Sequence, residues 1–137
     1  MTAQDNKELI RHIMEDGFNK KDIAVLYETF YPDYMRHGHG VGSMGSLEEH
    51  VADIKARHEA FDDARFDIQN ILGDGDMVAV HYIFTGVHTG VFNGVAATGK
   101  KISRPSAAFF KVRDGKVVEG NVFADGAGLM AQLAADA

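Results

Sequence analysis

Apolar positions recur at helical spacing in the first sixty residues and at two-residue spacing in most of the remainder. Leu9, Ile10, Ile13, Met14 and Phe18 form one helical stripe, with Asp5-x-x-Glu8 as its capping box and Gly17 weakening its last turn. Ile23, Leu26, Tyr27 and Phe30 predict a second, shorter helix that Pro32 stops. A third starts at the Ser46-x-x-Glu49 box. It buries Leu47, Val51, Ile54, His58 and Phe61, and turns Glu48, Glu49, Asp53, Lys55 and Arg57 to water. From there the pattern is that of strands, at 66–72, 77–88, 102–113 and 117–125. Turns fall at Gly73-Asp74-Gly75-Asp76, at Asn93-Gly94 within a glycine-containing loop, and at Asp114-Gly115. Leu129, Met130 and Leu133 mark a short last helix. Helices precede a meander of strands, and no strand–helix–strand alternation occurs. The expectation is α+β with an antiparallel sheet, and the length fits one domain over 1–137.

Composition narrows the function classes. A net charge of −6 argues against nucleic acid or an anionic membrane as partner. The absence of cysteine excludes disulfides, thiolate metal sites and a cysteine nucleophile, and fits a cytoplasmic protein. The first residues carry neither a basic n-region nor an apolar h-region, so no export signal is expected there. No apolar run approaches the roughly 20 residues of a membrane helix.

Four groupings could carry chemistry. Gly40-x-Gly42-x-x-Gly45 matches the dinucleotide fingerprint in letters, but no buried strand precedes it and no strand–helix–strand unit surrounds it. A mobile loop feeding a capped helix is the better account. His37-x-His39 puts two imidazoles on one face of an extended segment. No third ligand is legible, so the pair is expected to form a polar lip at a pocket mouth, with His37 inward, and no metal. On the long strand, Met77, Ala79, His81, Ile83 and Thr85 share one face and Val78, Val80, Tyr82 and Phe84 the other. Both are largely apolar, so both are expected to be covered. His81 is then either a hydrogen-bonded core histidine or a pocket histidine. On the last strand Glu119, Asn121, Phe123 and Asp125 share a face opposite Val118, Val122 and Ala124. That polar face either lines a pocket or is solvated or dimerises, and alternation alone leaves the choice open.

The run Thr85-Gly86-Val87-His88-Thr89-Gly90-Val91-Phe92-Asn93-Gly94, followed by Ala97-Thr98-Gly99-Lys100, resembles the "TGTHTG-x-F-x-G…TG(K/R)" signature of SnoaL-like polyketide cyclases, the predicted ester cyclases. Asp114-Gly115-Lys116-Val117-Val118-Glu119 with Asp125-x-x-Gly128-Leu129-Met130-x-Gln132-Leu133 is similar to their C-terminal motif, and Tyr31-Pro32-Asp33 with His37 to an earlier one. The resemblance implies the fold of nuclear transport factor 2, a cone-shaped α+β barrel in which three helices close a curved antiparallel sheet over a deep apolar cavity. It also implies aldol-type cyclisation, isomerisation or hydrolysis of a small carbonyl compound without metal or cofactor. By motif Asp125 is the acid/base. The family's usual tryptophan is replaced by Asn121, and its histidine on the preceding strand is missing from Ala107-Ala108-Phe109-Phe110-Lys111. His81 is the candidate to replace that imidazole, and His37, Ile83, Glu119, Asn121 and Phe123 are the candidate substrate contacts. The alternative is a ligand-binding module of the same fold without catalysis. A homodimer through the outer sheet face is expected in either case.

Overall fold

The computed structural model describes residues 2–135. Its elements are α1 (Ala3–His12), a π-helical continuation over Ile13–Asn19, α2 (Ile23–Thr29), β1 (Phe30–His39), α3 (Leu47–Ala60), β2 (Phe61–Asp74), β3 (Met77–His88), β4 (Lys101–Arg113), β5 (Lys116–Ala124) and α4 (Gly126–Ala134). Four helices accompany one open, five-stranded sheet in the order β1-β5-β4-β3-β2. The architecture is α+β, but the sheet is mixed, because β1 lies parallel to β5.

The strand at β1 is the element that the apolar pattern did not predict. Pro32 lies inside it rather than ending α2. An edge strand tolerates a residue without an N–H, and β1 is the edge beside β5. A residue preceding proline is also held extended, which favours strand at Tyr31. The cap of α1 lies three residues earlier than expected: Asp5 N donates to Thr2 Oγ1 at 3.0 Å, and Thr2 N donates to Asp5 Oδ2 at 2.9 Å. Ser46 does cap α3, its Oγ accepting from Glu49 N at 3.2 Å. The buried stripe of α3 is rotated from the predicted one and carries His50 and Arg57 beside Leu47, Val51 and Ile54. Arg57 therefore does not face water.

Strand alternation sends Val78, Val80, Tyr82 and Phe84 of β3 and Ile102, Arg104, Ser106, Ala108 and Phe110 of β4 to the helix-covered face. There they pack with Ile10, Met14, Leu26, Val51 and Ile54 in one core. The opposite face is uncovered: Leu72, Met77, Phe109 and Phe123 are exposed. Within one protomer the helices form one layer and cover one face of β3; the other, where a second copy was expected, is open in the single chain. Among the described residues no helix is long and apolar enough to cross a membrane.

The Gly40–Gly45 run has a local explanation. Gly40 has φ +77°, and a Cβ there would collide with the Ala124 carbonyl oxygen at the end of β5. Gly42 and Gly45 face open space. Only Gly40 needs to be glycine, and it needs to be so because the loop after β1 crosses the end of β5. Gly40→Ala is expected to destabilise the protein by about 2 kcal/mol or more in urea melts, combining left-handed strain with a backbone clash. Gly45→Ala, in open space, is expected to change stability by less than about 0.5 kcal/mol.

Candidate functional site

The covered face of the sheet does not close completely over the helices. A cleft of about 360 Å³ opens between the Gly40–Met44 loop, the Phe92–Asn93 loop and the start of α4. A smaller hollow of about 20 Å³ lies beneath it, against Tyr34, His50 and Tyr82. Arg36, Asp53, Arg57 and Arg104 line both.

Each of the four comes from a different constraint of the fold. Arg36 follows Tyr34 on the inward alternation of β1 and pairs with Gly120 of β5. Its backbone exchanges hydrogen bonds with Met44, N to O at 2.8 Å and O to N at 2.9 Å, which folds the loop back over the strand. Its Nε and Nη2 donate to the Gly42 carbonyl at 3.1 and 2.8 Å. Asp53 and Arg57 are one turn apart on α3, and Arg57 Nε donates to Asp53 Oδ2 at 3.2 Å. Arg36 Nη1 lies 3.5 Å from the same oxygen. Arg104 sits in the inward row of β4, where its Nε donates to Ser106 Oγ at 3.3 Å. The guanidinium carbons of Arg57 and Arg104 lie 5.4 and 5.2 Å from the centre of the Phe84 ring. Burial, then the nearby Arg57 charge, push Arg104 down to about 10, so it stays protonated at neutral pH.

Below them His50 is enclosed by the rings of Phe18, Phe30 and Tyr34. Neither ring nitrogen has a hydrogen-bond partner among the described residues, and the same holds for Tyr34 Oη. Burial, reinforced by the Arg36 charge, pushes His50 down to about 4; Asp53 opposes the shift. His50 is thus neutral at pH 7. Burial likewise raises Tyr34.

The residues expected in the pocket wall lie elsewhere. His81, Ile83, Glu119, Asn121 and Phe123 all point to the outer sheet face, the solvated alternative left open by alternation. His81 is exposed, with Nδ1 3.3 Å from Asn70 Nδ2. His37 is on that face too, 3.4 Å from Glu119, and His39 stacks on Phe123 with ring centres 4.3 Å apart. Among the described residues no three histidine or carboxylate groups converge as a metal would require. Asp125 is exposed and caps α4, its Oδ1 accepting from Gly128 N at 2.8 Å. The structure does not bring Asp125 and His81 together within one cavity; the placement of these groups in a pocket wall is corrected, because the helices cover the opposite, Val122 face of the sheet and Asp125 lies beyond β5 as the cap of α4. The inward groups Arg36 and Arg104 were missed. A signal existed, because Arg104 interrupts the otherwise apolar or small inward row from Ile102 to Val112.

His88, the histidine of the Thr85–Gly90 run, is fully buried. Thr98 N donates to its Nδ1 at 3.2 Å, and Thr98 Oγ1 lies 3.0 Å from the same nitrogen. It fastens the 98–100 segment to β3 and does not line the cleft.

The sequence model of the SnoaL-like polyketide cyclases matches residues 8–133. The chain belongs to that family. A protein from Jannaschia sp. CCS1, provisionally named a SnoaL-like polyketide cyclase, is 26% identical, with 98% of this chain and 95% of that one covered and a TM-score of 0.88. IdmH from Streptomyces antibioticus, provisionally named a polyketide cyclase, is 28% identical over 95% of this chain and 99% of its own, with a TM-score of 0.82. No curated protein matches the chain. The family assignment agrees with the α+β fold that the motifs implied.

The buried histidine gives a pH signature. Its pKa is about 4 folded against 6.5 unexposed to the fold, so the native state resists a proton that the unfolded chain accepts. Stability is therefore complete above pH 6.5 and is lost as pH falls from 6.5 toward about 4, by roughly 3 kcal/mol. Asp5 and Asp16, held low by hydrogen bonds to Thr2 and to Lys20 and His12, act below the ordinary carboxylate value of 3.8. Urea midpoints across this range should fall in the SnoaL-like protein and stay nearly level, down to about pH 4, in His50→Phe.

Proposed function

We propose that the protein performs cofactor-independent acid–base chemistry on a small carbonyl compound in this cleft: aldol-type cyclisation, isomerisation or hydrolysis. The observation that carries the proposal is a single carboxylate, Asp53, set among three guanidinium groups in a concave site. Asp53 Oδ2 is engaged by Arg57, and Oδ1 has no partner among the described residues. A carboxylate oxygen with a free lone pair can take a proton from the carbon next to a carbonyl. A guanidinium at the carbonyl oxygen stabilises the enolate that results. In an aldol closure the enolate carbon then bonds to a second carbonyl carbon, and the new alkoxide recovers the proton from Asp53. Atoms balance, and no oxidant or reductant is required. The names of the two relatives support an oxo-compound of polyketide type. A non-catalytic binding module is the second reading, supported by the same cleft alone.

Asp125 serves in this reading as a helix cap. The test is α-deuteration of simple aryl ketones and 1,3-diketones in D₂O, followed by NMR, which detects enolisation before the natural substrate is known. The wild type should accelerate exchange, and Asp53→Asn should slow it by about a hundredfold or more. Asp125→Asn should exchange at the wild-type rate and melt within a few degrees of it, since asparagine also caps helices. Wild-type exchange in Asp53→Asn would remove the mechanism, and a specific loss in Asp125→Asn would return the acid/base role to Asp125.

The outer face supports a homodimer. Leu72, Ala79 and Phe109 are neighbours in one row across β2, β3 and β4, and His81, Ala107 and Phe123 in the next. Leu72 is 70% exposed and Phe109 45%. A continuous apolar patch of this kind on a sheet favours a self-complementary contact. Light scattering should give twice the 14.9 kDa protomer mass, and Phe109→Glu should halve it without unfolding the protein.

A further inference from the structure

We infer that the compound held in the cleft is an anion: a keto acid whose carboxylate is gripped by Arg57 and Arg104. The inference rests on the acid–base reading of the cleft and adds the charge class of its substrate. Three arginines line the site, each more than nine-tenths buried, and Asp53 is the one carboxylate among its lining residues. Two positive charges are left without a counter-ion, in a protein whose overall charge is −6.

The surplus can be assigned to particular groups. Arg36 is spoken for, with three donors directed at the Gly42 carbonyl and Asp53. Arg57 uses Nε on Asp53, and its Nη1 is buried with no partner among the described residues. Arg104 makes one long hydrogen bond, to a neutral hydroxyl, and no carboxylate approaches it among the described residues. Both guanidiniums lie against the Phe84 ring. An aromatic quadrupole eases a desolvated cation but does not replace a counter-ion. A neutral ketone would need one donor at its oxygen and would leave the second charge unpaired. A carboxylate offers two oxygens that match the planar fork of a guanidinium. Beyond the charged floor, Val41, Phe92, Leu129 and Met130 make an apolar wall. The ligand is thus a charged end on an apolar body, which distinguishes a keto acid from a free inorganic anion.

The probe is 3-benzoylpropionate, a ketone with a carboxylate, compared with its neutral methyl ester by calorimetry and thermal melts at low salt. The anion should bind the wild type at least tenfold more tightly than the ester, weaken as salt rises, and raise the melting temperature. Arg104→Met and Arg57→Met should lose that preference while retaining ester binding. Without ligand, Arg104→Met should melt no lower than the wild type, because an unpaired buried cation has been removed. The wild-type comparison needs no variant to fold. Equal or tighter binding of the ester, no binding of either probe, or an anion preference that survives in both variants would overturn the inference. Ketone deuteration that depends on Asp53 without anion preference would sink this inference alone. Anion preference with wild-type deuteration in Asp53→Asn would sink the acid–base reading alone.

Discussion

One layer of helices covers one face of the sheet, and side-chain alternation then decides which residues can meet in the cleft. Along β3 and β4 every second residue is buried, from Val78 to His88 and from Ile102 to Val112. The inward row must be apolar to hold α1, α2 and α3, so any charge in that row must find a partner or a use. Arg104 is such a charge. Arg36 is another, brought inward by the parallel pairing of β1 with β5. Asp53 and Arg57 descend from α3 to meet them. The polar floor of the cleft therefore follows from where the core stops, at the open end of the sheet between the loops after β1 and β3.

That floor also ties the layers together. Asp53 Oδ2 is shared by a helix residue and a strand residue, and Arg36 carries the link on to the Gly42 carbonyl. Such a pair contributes little net stability once desolvation is counted. Removing one member is another matter, because the remaining charge stays buried and unpaired. The cluster is better understood as fixing geometry. With Arg36 and Arg57 both holding Oδ2, the free oxygen of Asp53 is presented in one orientation, which a positioned proton acceptor requires. His50 below remains neutral and adds no further positive charge to the floor.

Most of the fold was legible in the sequence. The turns at Gly75-Asp76, Asn93-Gly94 and Asp114-Gly115, the span of β3 and the cap at Ser46 follow from local chemistry. The strand at β1 did not, because its pairing with β5 is parallel and non-local, and Pro32 reads locally as a helix stop. The covered face was misassigned for a related reason. His37, His81, Asn121 and Phe123 are correctly grouped on one face; what alternation cannot say is which face the helices cover. The Val122 face packs inward, so the groups with more evident chemistry lie outside and the less evident arginines lie inside. On α3 the apolar residues alone gave too narrow a stripe, and Arg57, whose stem and guanidinium pack on Phe84 and Phe92, was assigned to solvent by its charge.

In this chain several of the motif residues brace the loops around the cleft. Gly86 lies against Phe61, Gly90 beneath the end of α3, and His88 on Thr98. These contacts fasten the loop after β3 to the core and set the position of Phe92 at the cleft. Asp125 acts in the same way on the opposite rim. It caps α4, and the adjacent Gly126 N donates to the Gly40 carbonyl at 3.0 Å. The start of α4 is thereby stitched to the loop that Arg36 holds from the other side. The charged floor between these rims is one carboxylate and three arginines, two positive charges more than the carboxylates that line it.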